Sequence, residues 1–115
     1  MAVSLTELGN YTAAEELYQK ALVLMKTIPL AQGEMAVTYC NMADLVAKHL
    51  GLEKGEAVIA EYLETAYALL NASDLPQDGR HAFICEKCAP TFSYYGFFGY
   101  AAELQDRSRK IYERN

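Results

Sequence analysis

Residues 9–24 read GNYTAAEELYQKALVL, and residues 96–111 read GFFGYAAELQDRSRKI. At an offset of 87 residues Gly9 meets Gly96, Tyr11 meets Phe98, Ala14 meets Ala101, Ala21 meets Ser108 and Leu24 meets Ile111. The same offset carries Ala2 onto Ala89 and Leu5 onto Phe92. A middle copy lies between them: Met42-Ala43 follows Met1-Ala2 by 41 residues, and Ile59, Leu63, Ala66 and Leu69 repeat the pattern of the second half of the unit. Three copies of a helix–turn–helix unit of roughly 40–46 residues therefore fit the chain.

Working outward from these stretches, every segment with a clear hydrophobic period has the helical one. In 11–28, Ala14, Leu17, Tyr18, Ala21, Leu22, Leu24 and Met25 recur at three- and four-residue spacing, while Glu15, Glu16, Gln19, Lys20 and Lys26 fall mostly on the other side. Residues 34–49 do the same through Met35, Tyr39, Met42, Ala43 and Val46, and residues 56–70 through Ile59, Leu63, Ala66, Leu69 and Leu70. Residues 80–94 and 98–113 complete the set. Asp78-Gly79 precedes a helical pattern and is read as a helix start. No segment sustains a period of two, so the fold class is all-α.

The chain resembles the tetratricopeptide repeat (TPR) family. Gly9-x-Tyr11-x-x-Ala14-x-x-x-Tyr18-x-x-Ala21 carries the resemblance in the first copy, Asn41-Met42-Ala43-x-Leu45 in the second, and Gly96-x-Phe98-x-x-Ala101 in the third. The middle copy has Glu56 where the family has an aromatic, and HLGL (49–52) reads as about one extra helical turn; the third copy has Gln105 and Ser108 at places usually bulky and alanine. The long unit is similar to the kinesin-light-chain type. The resemblance implies a right-handed α-α superhelix: a single domain with units at 1–28, 34–71 and 79–113, about three antiparallel helix pairs, the first helix truncated. Ala2, Ala43 and Ala89 would let paired helices approach, and Gly9 and Gly96 would supply the tight backbone between them. The short first helix suggests the C-terminal piece of a longer array, with self-association possible through the truncated N-terminal face. The charged end, ELQDRSRKIYERN, suits a terminal capping helix.

The stretch TFSYYGFFGY (91–100) is the most aromatic in the chain. The repeat places Phe92 and Phe98 in the core and Gly96 in the turn, with Tyr94, Tyr95, Phe97 and Tyr100 flanking it. Packing around a turn accounts for most of the stretch, and a partner-binding edge is the functional alternative. Base stacking is disfavoured, because the formal net charge of −5 leaves no basic face for phosphates. No apolar run approaches the ~18 residues that span a bilayer. The start, MAVSLTELGN, has no basic stretch and meets Glu7, so a secretory leader is not expected. Three cysteines cannot pair fully within one chain, which fits reduced thiols in a cytoplasm.

His81-x-x-x-Cys85-x-x-Cys88 spans about two helical turns and would share one helix face. Imidazole and thiolates are zinc ligands, so a thiol- or metal-responsive sensor, with Cys40 as a further oxidisable thiol, is the alternative function. Against it, the repeat places Cys85 over Tyr39 and Cys88 over Met42, both core positions, where free cysteine packs as a small hydrophobe. No nucleophile set, phosphate-binding loop or dinucleotide fingerprint is present, so no enzyme activity and no cofactor are expected.

The resemblance implies that the first helix of each unit lines a concave groove that binds a protein or peptide. Carried over, the groove residues are Val37, Cys40, Asn41, Asp44 and Lys48 in the second unit, and Phe83, Glu86, Lys87, Pro90 and Tyr94 in the third. Some family members hold a chaperone's terminal carboxylate; Asn41 and Lys87 match two of those places, but Val3 and Phe83 stand where asparagine and lysine would be needed. A peptide or helix of mixed character is expected instead. A further alternative is a structural cap whose array binds elsewhere. Pro90 lacks an N–H and is expected to kink its helix or free a carbonyl.

Overall fold

The computed structural model describes residues 10–114, and these form helices with no strand. They are α1 (Tyr11–Met25), α2 (Gln32–Leu70), α3 (Gly79–Tyr94) and α4 (Phe98–Arg114). The readings made for Ala2, Val3, Leu5 and Gly9, and for the truncated first helix, lie outside the described residues.

Local sequence explains the boundaries. The Asn10 side chain accepts the Ala13 N–H at the start of α1, and the Asp78 side chain accepts the His81 N–H at 3.0 Å at the start of α3. Each satisfies one of the donors a helix start leaves unpaired. α1 buries Ala14, Tyr18 and Leu22, one residue every four, whereas Leu24 faces outward.

α2 is two arms, not one rod. Gly51 interrupts it with φ 84 and ψ 165, a region only glycine populates comfortably. Tyr39 meets Tyr62 and Val46 lies over Gly55, so residues 32–50 and 52–70 fold back antiparallel about Gly51. The extra turn read at 49–52 is realised as helix on both sides of a one-residue reversal. Gly51→Ala is expected to cost about 1–3 kcal/mol, the strain of a side chain in that conformation, because space is no obstacle there. Urea denaturation of the two proteins measures it.

The second hairpin turns at Gly96, where φ is 88. The Phe97 N–H donates to the Phe92 carbonyl at 2.8 Å and the Gly96 N–H to the Ser93 carbonyl at 3.1 Å. This paired pattern, closed by contact between Phe92 and Phe97, is the Schellman helix ending, which needs a left-handed residue at its pivot. It also corrects one reading. Phe98 was expected in the core but is 68% exposed. The motif brings Phe97 back onto Phe92, and Tyr100 joins them, so the aromatic that fills the turn sits one residue earlier.

The two hairpins stack side by side with like arms parallel. Along 32–50 and α3, Gly33 lies by Ile84, Cys40 by Cys88 and Asp44 by Tyr95. Along 52–70 and α4, Glu64 bonds Tyr100, Tyr67 bonds Glu103 and Leu70 bonds Arg107. The core between them includes Ala43, Leu63, Leu70, Cys85, Ala89, Phe92 and Leu104. A second cluster seats α1 on α2 through Tyr18, Leu22, Met35, Met42 and Leu45. None of the helices among the described residues is long and apolar enough to cross a membrane.

Candidate functional site

The parallel packing of 32–50 on α3 leaves a furrow along their outer side. At one end Asp44, Lys48 and Leu52 face Pro90, Thr91 and Tyr94 across a recess of ≈ 430 Å³. At the other, Glu34, Val37 and Thr38 face Arg80, Phe83 and Lys87 across ≈ 480 Å³. Val37, Phe83 and Lys87 thereby line one recess, and Asp44, Lys48, Pro90 and Tyr94 the other. Asn41, half-buried, lies between the recesses on the same arm.

Two expected groove residues are placed elsewhere. Cys40 is buried in the core, where its free thiol lies beside that of Cys88, because the two arms meet there. Glu86 lies on the other side of α3, where its carboxylate accepts from the Tyr112 hydroxyl of α4 at 3.4 Å. Helical periodicity narrows a face to about a hundred degrees but does not say which flank a neighbour covers.

Charge in the furrow is uneven. The Asp44 carboxylate accepts the Tyr95 hydroxyl at 2.6 Å, and burial together with that bond raises the Tyr95 pKa. Glu34 is ion-paired with Arg80. Lys48 and Lys87 make no ion pair among the described residues, and both are exposed. Beside them Tyr94 is 73% and Phe83 59% exposed. The furrow thus alternates an open ammonium with an open aromatic ring at each end. Pro90 lies within α3, which continues to Tyr94; the missing N–H leaves the Glu86 carbonyl without its helical donor.

The triad His81, Cys85 and Cys88 is split among different partners. His81 Nε2 lies 3.2 Å from Arg107 Nη1. Cys85 is buried, and burial pushes its thiol up to about 11. The Cys40 and Cys88 thiols lie side by side: the interaction between them, then burial, raises the Cys40 thiol, while the same interaction lowers Cys88. Among the described residues no group of three or more His, Cys, Asp and Glu side chains is placed to hold a metal ion.

Sequence reading missed Arg107. Its guanidinium donates to the Leu70 carbonyl at 3.2 Å and the Asn71 side chain at 2.5 Å, and pairs with Glu103. It therefore joins the end of α2, the start of α3 and α4. The only local signal was the Glu103-x-x-x-Arg107 spacing, which fits an ordinary helix-surface pair equally well.

Because arginine only donates, His81 must accept at Nε2 and is neutral. Burial, then the nearby Arg107 charge, hold its pKa below the ordinary 6.5. The unfolded chain therefore takes up a proton near pH 6.5 while the folded chain does not, so stability falls as pH drops below that value. Between about pH 6.5 and the onset of carboxylate titration near pH 5, the urea midpoint is expected to decline. His81→Gln should flatten that slope; an unchanged slope would contradict the assignment.

Comparisons of the chain with protein-family models, with curated proteins and with solved structures find no match.

Proposed function

We propose that the chain is a TPR-like binding module, a right-handed superhelix of stacked helix pairs that grips a protein or peptide segment in its concave furrow and performs no catalysis. The observation that supports this reading is the parallel stacking of the two hairpins, with the first arm of each lining two recesses along one side. Stacked repeats of this kind present extended concave surfaces, and binding is their common use. The two furrow acids are engaged within the chain while Lys48 and Lys87 are open. The furrow therefore favours a segment that carries carboxylates between apolar side chains, held by ion pairs over exposed rings. Nucleic acid is disfavoured by the overall acidity of the chain.

Selection from a displayed library of random peptides tests the proposal. Enriched peptides are expected to carry acidic and apolar residues, and to bind Lys87→Glu/Tyr94→Ala at least about tenfold more weakly, a loss near 1.4 kcal/mol. Both positions are exposed, so the variant should fold normally. Equal binding to parent and variant would remove the furrow from the account.

A further inference from the structure

A third hollow lies where the connections between helices meet and adjoins the near recess of the furrow, with which it shares Met25, Glu34, Arg80 and Ile84. It occupies ≈ 510 Å³ and sits between the α1–α2 and α2–α3 links. Clefts of this size hold small molecules. Met25, Ile28, Leu30, Leu75 and Ile84 line it, with Ile28 and Leu30 left about half exposed. Leu30 is held at φ 62, a conformation that bulky residues adopt rarely and that tends to occur where a site is built.

The polar groups gather on one wall. The first turn of α3 supplies Arg80 and His81 to the cleft. His81 is only 2% exposed, and its Nδ1 has no hydrogen-bond partner among the described residues. Since Nε2 accepts from Arg107, Nδ1 carries the proton and is a buried donor that lacks an acceptor. The two acids nearby are both engaged: Glu34 pairs with Arg80, and Asp78 caps the His81 N–H. Asp78 already occupies the helix start, so the pull on an incoming oxygen anion comes from the imidazole N–H and from the guanidinium donors of exposed Arg80 that its pairing with Glu34 leaves over.

We infer that this cleft is a binding site for a small aliphatic carboxylic acid, with its chain among the five apolar side chains and its carboxylate at the first turn of α3. The site is distinct from the far recess of the furrow, where Lys48 and Tyr94 lie, and does not depend on peptide binding there.

Titration of octanoate into the isotope-labelled full chain, followed by amide and methyl NMR, tests it. Octanoate should shift the Arg80 and His81 amides and the Ile84 methyls, whereas 1-octanol should bind more weakly. Arg80→Ala should weaken octanoate about tenfold, the loss of one charge-assisted contact, and leave octanol unchanged. Ile28→Ser should weaken both. Lys48→Glu/Tyr94→Ala should leave octanoate binding intact even if peptide binding is lost, which separates the two sites. No shift at millimolar octanoate, octanol binding as well as octanoate, or Arg80→Ala binding as the parent does would each overturn the inference. A peptide ending in leucine that binds these residues more tightly than octanoate would overturn the small-acid assignment in favour of a chain terminus.

Discussion

Phe92→Ala is expected to lower the stability of the fold by about 3–5 kcal/mol. Phe92 is fully buried, and its ring makes edge contacts with Tyr67, Phe97 and Tyr100 at centroid distances of 6.3, 6.4 and 6.0 Å. Truncation removes the side chain that fills the space between the second arm of α2 and the turn at Gly96. Partial collapse would leave a cavity, because Tyr67 and Tyr100 are stacked on each other and tied to Glu103 and Glu64. A domain of this size has roughly 5–15 kcal/mol in total, so the loss is a large fraction. The urea midpoint should fall by about 1–5 M, given slopes of about 1–3 kcal/mol per molar. Phe92→Leu should recover most of it. A loss below about 1 kcal/mol for the alanine variant would mean that the hairpins are not packed through this ring.

Arg107→Ala carries the second large effect, about 3 kcal/mol. Its side chain is 15% exposed and reaches four groups on three helices and a link. Without it the Leu70 carbonyl at the end of α2 loses its capping donor, and Glu103 is left half-buried with a charge to satisfy. Arg107→Lys should rescue only part, since one ammonium cannot reproduce a planar fork bonded on both nitrogens. The variant has a second signature. Removing the guanidinium takes away one of the causes that lower the His81 pKa, so the acid-side slope of stability should shrink as well. A neutral effect on both midpoint and slope would show that these contacts are surface decoration.

Much of the architecture could be read from the chain because its signals are local. Asp78 caps, Gly96 adopts the left-handed turn, and Ala43, Cys85, Cys88, Ala89 and Phe92 are buried where the repeat offset places them. The errors share a different cause. Phe98 was placed by aligning two turns as equivalent, yet hydrogen bonding at Gly96 decides that Phe97 points inward. Cys40 and Glu86 lie on the flanks of their helices, and only the arrival of a neighbouring arm decides which flank is covered. Arg107 acts across 36 residues to Asn71, a separation that leaves no trace in periodicity. The apolar cleft is formed by two links meeting in space, so its lining comes from two stretches of sequence, 25–34 and 75–84.

The furrow is the central claim, and an amide shift map of a selected peptide bound to the labelled chain tests it most directly. The account predicts shifts concentrated at Val37, Asn41, Asp44 and Lys48 on α2 and at Phe83, Lys87 and Tyr94 on α3. Shifts concentrated instead on the outer face of α4, around Gln105 and Arg109, would contradict it.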